Sequence, residues 1–301
     1  MKIVILRGGA LGDFLLTLPA VAGLRDKWPE AEMEMVVARK FGELVVGPQS
    51  IQAVRPIEQP GLATFYAKEG KLDVEWGDYF TEFDLTISYL FDPDEIFFGN
   101  WKRCGGTGEF INHDPRNPKE AAWKHLALPM QRLGATAGNG RGLMGEKIQV
   151  PKKGKARKPN WVIHAGSGGA AKCWPISDWV RELDLLAKNH EFAVTWLGGE
   201  VEEGWEKQVP LHWRSGEHRW VQNRPLPELV TEMMGSDLYL GHDSGMSHLA
   251  GWSGAKCGLL FGPTNPAVWA PPGERVKCWS GGGRWPKEGE WANWVEKLIS
   301  S

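Results

Sequence analysis

The chain has 301 residues, a formal net charge of -2 and 24% charged residues. That length fits two domains of about 150 residues each. The near-neutral balance gives no global drive toward nucleic acid, and no stretch approaches the ~18 apolar residues of a membrane-spanning helix. Cys104, Cys173, Cys257 and Cys278 stand far apart without CxxC spacing. They read as free thiols of a reducing compartment, with structural zinc disfavoured. The apolar run of MKIVILRGGALGD is too short for a signal peptide, so the expected location is the cytoplasm.

In chain order, KIVIL at 2–6 predicts a strand, GGALGD a tight turn, and FLLTLPAVAGLRDKW a helix in which Pro19 marks a kink or an early turn. MEMVVA is a strand, and FGELVVG begins a helix. IQAVRPI and FDLTISYL are further strands, residues 92–115 are weakly patterned and predicted as loop, and EAAWKHLALPMQRLG is a helix. The run EKIQVPKKGKARKPN holds six Lys or Arg between 147 and 158 and reads as a solvated linker, or as a basic patch facing an anionic surface. A second alternation follows. WVIHAG is a strand, SDWVRELDLLAKN a helix opened by Ser177, FAVTWLGG a strand and PLPELVTEMMGS a helix. DLYLGHDS is a strand, MSHLAGWSG a short helix, AKCGLLFG a strand and EGEWANWVEKLIS a terminal helix. Alternating strand and helix argues two open parallel sheets covered on both faces. The expected domains are 1–150 and 151–301, with the terminal helix as the element that could pack back on the first. Their strand ends are expected to face each other across a cleft.

Three strand-to-turn segments carry the candidate chemistry. In GGALGD, the spacing of Gly8, Gly9 and Gly12 departs from GxGxxG, and the segment lacks the GK[ST] ending of a P-loop. Asp13 is therefore either an N-cap or an ionised general base toward a hydroxyl. In HAGSGGAAKCWP, Ser167, the glycines and Lys172 together suit a diphosphate. In GHDSGMSHLAG, Asp243, Ser244 and Gly245 leave a strand, and Ser247 and His248 lie on the first turn of a helix. The pattern is not GxSxG and better suits ligand bonds to helix-start N–H groups, while His248 is equally readable as a core residue. The acidic run GEVEEGWE reads mostly as a solvated helix face, with Glu202 positioned to receive ribose hydroxyls. No HExxH or DxD pattern points to a metal. Several of the 17 Trp (Trp76, Trp174, Trp269 and Trp285 among them) stand beside Gly, Pro or charge, where a ring serves as groove wall as readily as core. The stiff stretch FGPTNPAVWAPPG at 261–273 raises the same question.

Taken together, ILRGGALGDFLLTLPAVAGLRDKWPEAEMEMV, HAGSG…KCWP, WLGGEVE, DLYLGHDSGMSHLAG and LLFGPTNPAVWAPPG resemble, in order and spacing, the heptosyltransferases of glycosyltransferase family 9. The resemblance spans both ends of the chain and is weak over about 75–145. It implies a GT-B fold of two Rossmann-like domains, an acceptor-side first and a nucleotide-sugar-binding second. It further implies an inverting, metal-independent transfer of heptose from ADP-L-glycero-D-manno-heptose to the inner core of lipopolysaccharide. On that resemblance Asp13 is the catalytic base, Ser167 and Lys172 bind the donor diphosphate, and Glu202 binds the ribose. Asp243, Ser244 and Gly245, with His248 nearby, meet the sugar and phosphate, and the 261–273 loop walls the nucleotide. Ser167 stands where many relatives carry Thr, which keeps the hydroxyl. No cofactor and no nucleic acid are implied. The partners are the nucleotide sugar and a lipid-linked saccharide, with peripheral contact at the cytoplasmic face of the inner membrane as a corollary. The competing readings are a GT-B transferase using another nucleotide sugar and a non-catalytic nucleotide-sugar-binding protein.

Overall fold

The structure, a computed structural model, describes residues 1–151 and 158–300. Most of the basic run, residues 152–157, lies outside the described residues, and with it the reading of that run as a patch facing an anionic surface. Its two ends are ion-paired: Lys147 Nζ lies 2.7 Å from Glu43 and Lys158 Nζ 2.9 Å from Glu217. The chain divides into two compact units, Met1–Lys147 and Ile148–Ser301.

The first unit runs β1 (Lys2–Leu6), α1 (Leu11–Lys27), β2 (Glu32–Val37), α2 (Arg39–Gly42), β3 (Ala53–Pro56), α3 (Val74–Thr81), β4 (Leu85–Ser88), α4 (Ile96–Arg103), β5 (Glu109–Asn112) and α5 (Ala122–Arg132). Its five strands are all parallel, in the order β3-β2-β1-β4-β5. Helices cover the sheet, so β1 at its centre is buried from Ile3 to Leu6, as a parallel strand must be. Pro19 neither opens nor ends α1, which continues unbroken through it to Lys27. FGELVVG yields only the end of one short turn of helix, α2, before the chain bends into an isolated bridge at Val46 and Ile51.

The expected loop over 92–115 is instead α4 and β5. Its pattern is short because α4 is two turns long, yet the physical cause is visible. Asp92 accepts from the N–H groups of Phe97 and Phe98 at 3.1 and 3.0 Å, closing the helix start. Phe97 and Trp101 then bury against Phe65, Phe80 and Trp76. Aromatic burial of this kind outweighs weak local propensity.

The second unit runs β6 (Asn160–His164), α6 (Ile176–Leu186), β7 (Ala193–Gly198), β8 (Arg219–Gln222), α7 (Leu226–Met234), β9 (Leu238–His242), α8 (Gly245–Ser253), β10 (Cys257–Phe261), α9 (Pro266–Trp269), β11 (Val276–Ser280) and α10 (Glu290–Ile299). The order of the six parallel strands is β11-β10-β9-β6-β7-β8. The edge strands β8 and β11 were missed in the sequence because each is short and only partly buried. Helix α6 opens at Ile176 after Pro175, so Ser177 is its second residue and not its cap.

Helix α10 buries Trp291, Ala292, Val295 and Leu298 in the core of this unit. Its start is held by Glu182, a fully buried carboxylate that accepts from the N–H groups of Gly289 and Ala292 at 2.7 and 2.9 Å. Trp291 meets Trp179 edge to face at 4.9 Å, and Trp179 meets Trp174 the same way at 5.7 Å. Trp76 and Trp174 are thus core residues. Truncating the fully buried Trp291 to Ala leaves a large cavity and is expected to destabilise the protein by ~3–5 kcal/mol. Urea denaturation followed by tryptophan fluorescence measures this; a change below ~1 kcal/mol would contradict the assignment of α10 to this core.

Candidate active site

In an open parallel sheet every strand points its carboxyl end the same way, and polar side chains placed there can reach a ligand. In the first unit the turn after β1 does this. Arg7 is buried beneath it, and Asp13 is the third residue of α1, not its cap. Asp13 Oδ2 accepts the Ala10 N–H at 2.9 Å, and Oδ1 accepts from Arg7 Nη2 at 3.1 Å. Gly9 has φ of 101°, and a Cβ there would stand 2.6 Å from Asp13 Oδ2. Glycine is what lets the turn wrap the carboxylate. Burial pulls the Arg7 guanidinium below its ordinary range, against the opposing pull of the Asp13 charge. The Asp13 side chain is nevertheless 43% exposed, so a held carboxylate presents an open side.

In the second unit the ends of β6, β7 and β9 converge. Ser167 Oγ donates to the Asp243 carbonyl at 2.8 Å, and Lys172 Nζ meets the Asp243 carboxylate at 2.8 Å. Asp243 is buried while Lys172 is 41% exposed, so the ammonium reaches from solvent down to a buried acid. Ser244 caps α8, its Oγ accepting the Ser247 N–H at 3.3 Å. That places Gly245 and Met246 at the helix start, where N–H groups have no intrahelical acceptor. His248 is buried on the same first turn.

Glu202 departs from its neighbours in the acidic run. Glu200, Glu203 and Glu206 are exposed, whereas a short 3₁₀ turn after β7 carries Glu202 inward to 4% exposure. Its carboxylate accepts the Gly199 N–H at 2.8 Å and lies 3.8 Å from His164 Nε2. Burial opposes its ionisation, but His164 and the backbone N–H groups outweigh that and hold the carboxyl below its ordinary range. A Cβ on residue 166 would stand 1.8 Å from Glu202 Oε1, so Gly166 makes the approach possible.

Ser167, Lys172 and Asp243 are thus one bonded set, with Ser244, Gly245 and His248 continuing it and Glu202 lying against Gly166 beside it. His164 and His242 escaped the sequence reading because they sit inside segments read as buried strand, and Gly166, read there as one of the diphosphate loop's glycines, is also what makes room for Glu202. A polar residue at the very end of such a strand, just before a glycine loop, was the available signal. In the 261–273 stretch, Asn265 caps the single turn α9 through the Ala267 N–H at 2.9 Å, and Pro271 packs on Gly251 of α8. The Trp285 ring covers Gly262 and lies 5.5 Å from the His242 ring. Among the described residues no group of three or more His, Cys, Asp or Glu is placed to hold a metal ion.

The model of glycosyltransferase family 9 (heptosyltransferase) matches residues 125–292. The chain belongs to glycosyltransferase family 9. It is 23% identical to lipopolysaccharide heptosyltransferase 3 of Escherichia coli K12, over 90% of this chain and 85% of that protein. Among solved structures it is similar to a family 9 glycosyltransferase of Veillonella parvula (TM-score 0.75, 16% identity, 99% of this chain and 97% of that one). It is equally similar to E. coli heptosyltransferase WaaC with ADP (TM-score 0.75, 18% identity, 100% and 99%). The resemblance read from the motifs and the GT-B fold it implied are both borne out, and the protein is a glycosyltransferase.

Beneath the Ser167–Asp243 cluster of this family 9 enzyme lies His242, fully buried. Its Nε2 accepts from the Trp174 backbone N–H at 3.0 Å and from Trp179 Nε1 at 3.2 Å. Protonating that nitrogen would set three N–H groups against one another, and burial with the nearby His164 lowers its pKa to about 3. The unfolded chain takes up this proton near pH 6.5 and the folded chain does not. The stabilisation is therefore complete above that pH and declines as pH falls toward about 3, by up to ~1.4 kcal/mol per pH unit. His242→Gln keeps an acceptor but removes the titration. Urea denaturation from pH 7 to pH 4 should show the stability gap between wild type and variant narrowing as pH falls; a gap independent of pH would refute the assignment.

Proposed function

We propose that the protein transfers heptose from ADP-L-glycero-D-manno-heptose to a lipid-linked inner-core acceptor of lipopolysaccharide, with inversion at the anomeric carbon and without a metal. The first unit, about residues 1–150, serves the acceptor, and the second, about 151–301, binds the donor. The observation that carries this reading is Asp13, a carboxylate fixed by two donors at a helix start with its side chain 43% exposed. Related names agree in direction: the E. coli relative is a lipopolysaccharide heptosyltransferase, and WaaC is a heptosyltransferase solved with ADP.

In the proposed reaction Asp13 takes the proton of the acceptor hydroxyl while the oxygen attacks the anomeric carbon from the face opposite the diphosphate. One bond forms as the other breaks, so configuration inverts and ADP departs with the bonding pair. Its charge is met by Lys172, by the Ser167 hydroxyl and by the N–H groups of Gly245 and Met246 at the start of α8. An ammonium has three N–H donors, so Lys172 can hold Asp243 and still reach a phosphate. Ionised Glu202 accepts from the ribose hydroxyls, Asp243, Ser244 and His248 line the sugar-phosphate end, and the proline-stiffened 261–273 loop walls the nucleotide at little ordering penalty. No helix among the described residues is long and apolar enough to cross a membrane. A cytoplasmic enzyme that visits the inner membrane for its lipid-linked acceptor is consistent with that.

ADP release on mixing enzyme, ADP-heptose and a Kdo–lipid A acceptor tests the reading. Acceptor-dependent release is expected, falling about 10²–10⁴-fold in Asp13→Asn and about 10²–10³-fold in Lys172→Met. Turnover with a different nucleotide sugar but none with ADP-heptose would replace the donor and keep the reaction class. Undiminished turnover in Asp13→Asn would remove the base.

A further inference from the structure

We infer that Arg7 is a positioning residue for the transfer: its buried guanidinium sets the orientation in which Asp13 meets the acceptor hydroxyl. This rests on the reading of Asp13 as the base. Arg7 follows β1 directly, and its backbone N–H is tied to the Val36 carbonyl at 3.0 Å. The side chain is only 7% exposed, an unfavourable setting for a cation unless its partners are well placed.

Those partners all lie on the first turns of α1. Nε donates to Thr17 Oγ1 at 3.1 Å and, more weakly, to the Asp13 carbonyl at 3.3 Å, while Nη2 donates to Asp13 Oδ1 at 3.1 Å. Thr17 is fully buried, and its hydroxyl donates to the same Asp13 carbonyl at 2.9 Å. The guanidinium is a planar fork, so fixing one edge on Thr17 fixes the direction from which Nη2 reaches the carboxylate.

A clamp between β1 and α1 would need only the Thr17 and carbonyl contacts. The Nη2 contact does something else: it occupies Oδ1 while the Ala10 N–H occupies Oδ2 at 2.9 Å. Two donors on two oxygens define the plane of the carboxylate. Its remaining lone pairs then face the open side of the turn, where an acceptor hydroxyl would arrive. Misplacing a reacting group by about 1 Å can lower a rate about 10²-fold, so an arginine that holds this plane acts on turnover without touching substrate. A lysine at position 7 would keep the charge but, as a point donor, could not span Thr17 and the carboxylate in the same way.

The test is steady-state kinetics of Arg7→Met, Arg7→Lys, Thr17→Val and Asp13→Asn with ADP-heptose and Kdo–lipid A, alongside thermal melting. Arg7→Met is expected to lower kcat about 30- to 100-fold with the donor KM within about twofold of wild type. Arg7→Lys should recover part of that loss. Thr17→Val, which leaves both charges in place but removes the anchor, should lower kcat about threefold to tenfold. If Arg7→Met does not fold, the Lys and Val variants carry the same prediction. A kcat within twofold of wild type in Arg7→Met, with Asp13→Asn inactive, would overturn the assignment and leave the base standing. So would equal kcat loss in the Met and Lys variants that follows their melting temperatures, since that is the signature of a clamp. Turnover retained in Asp13→Asn, or no turnover in wild type with any nucleotide sugar, would instead take down the base reading and this inference with it.

Discussion

A carboxylate can be buried at the end of a strand only when a neighbouring residue leaves room for it and a donor stands ready. Glu202 meets both conditions: position 166 has no Cβ, and the Gly199 N–H supplies the donor, with His164 Nε2 3.8 Å away. The rest of the second unit's cluster depends on this arrangement. Gly166 lies one residue before Ser167, so the backbone that admits Glu202 also sets where the Ser167 hydroxyl reaches the Asp243 carbonyl. Asp243 in turn fixes Lys172. A side chain on residue 166 would move Glu202 first and the loop behind it next.

The same strand-to-turn plan appears after β1, β6 and β9, with a different device each time. After β1 a positive-φ glycine folds the turn around a helical carboxylate. After β6 a run of glycines brings a serine and a lysine to a neighbouring strand end. After β9 a serine caps a nine-residue helix whose first N–H groups have no intrahelical acceptor. Asp13, Ser167, Lys172, Asp243 and Ser244 each find a polar partner within the protein, whereas the buried Nδ1 atoms of His164 and His242 do not. Each turn also leaves one component open to solvent in part: the Asp13 carboxylate, the Lys172 ammonium, and Gly245 and Met246 at the half-buried start of α8.

Buried strands were legible in the sequence because their apolar runs are unmistakable; β1, β6, β7, β9 and β10 lie within a residue or two of where KIVIL, WVIHAG, FAVTWLGG, DLYLGHDS and AKCGLLFG put them, and the four-residue β3 and β4 fall inside IQAVRPI and FDLTISYL. Four other short elements were not. Helix α4 owes much to Phe97 meeting Phe65 and Phe80, more than fifteen residues away in sequence, and no local window contains that information. Strands β5, β8 and β11 are four or five residues long with mixed burial, so their alternation is too brief to register. The site followed the same rule. Residues that break a pattern, such as Asp13 and Lys172, stood out, whereas His164 and His242 were hidden by the strands that carry them. Glu202 was singled out by its place after a strand within a run otherwise read as solvated, and the 3₁₀ turn that carries it inward is what separates it from Glu203.

The Lys172–Asp243 pair bears on how a diphosphate would be received. Asp243 is 8% exposed, and losing its cation altogether would leave an uncompensated buried charge, a strongly unfavourable outcome. An incoming phosphate therefore cannot simply draw the lysine away. The arrangement of lower free energy has the ammonium between the two anions, donating one N–H inward to Asp243 and the others outward. In that arrangement Asp243 need not touch the leaving group to matter, because it fixes the depth at which the ammonium sits. The exposed stem of Lys172 then gives the charge its reach, and the buried acid gives it an address.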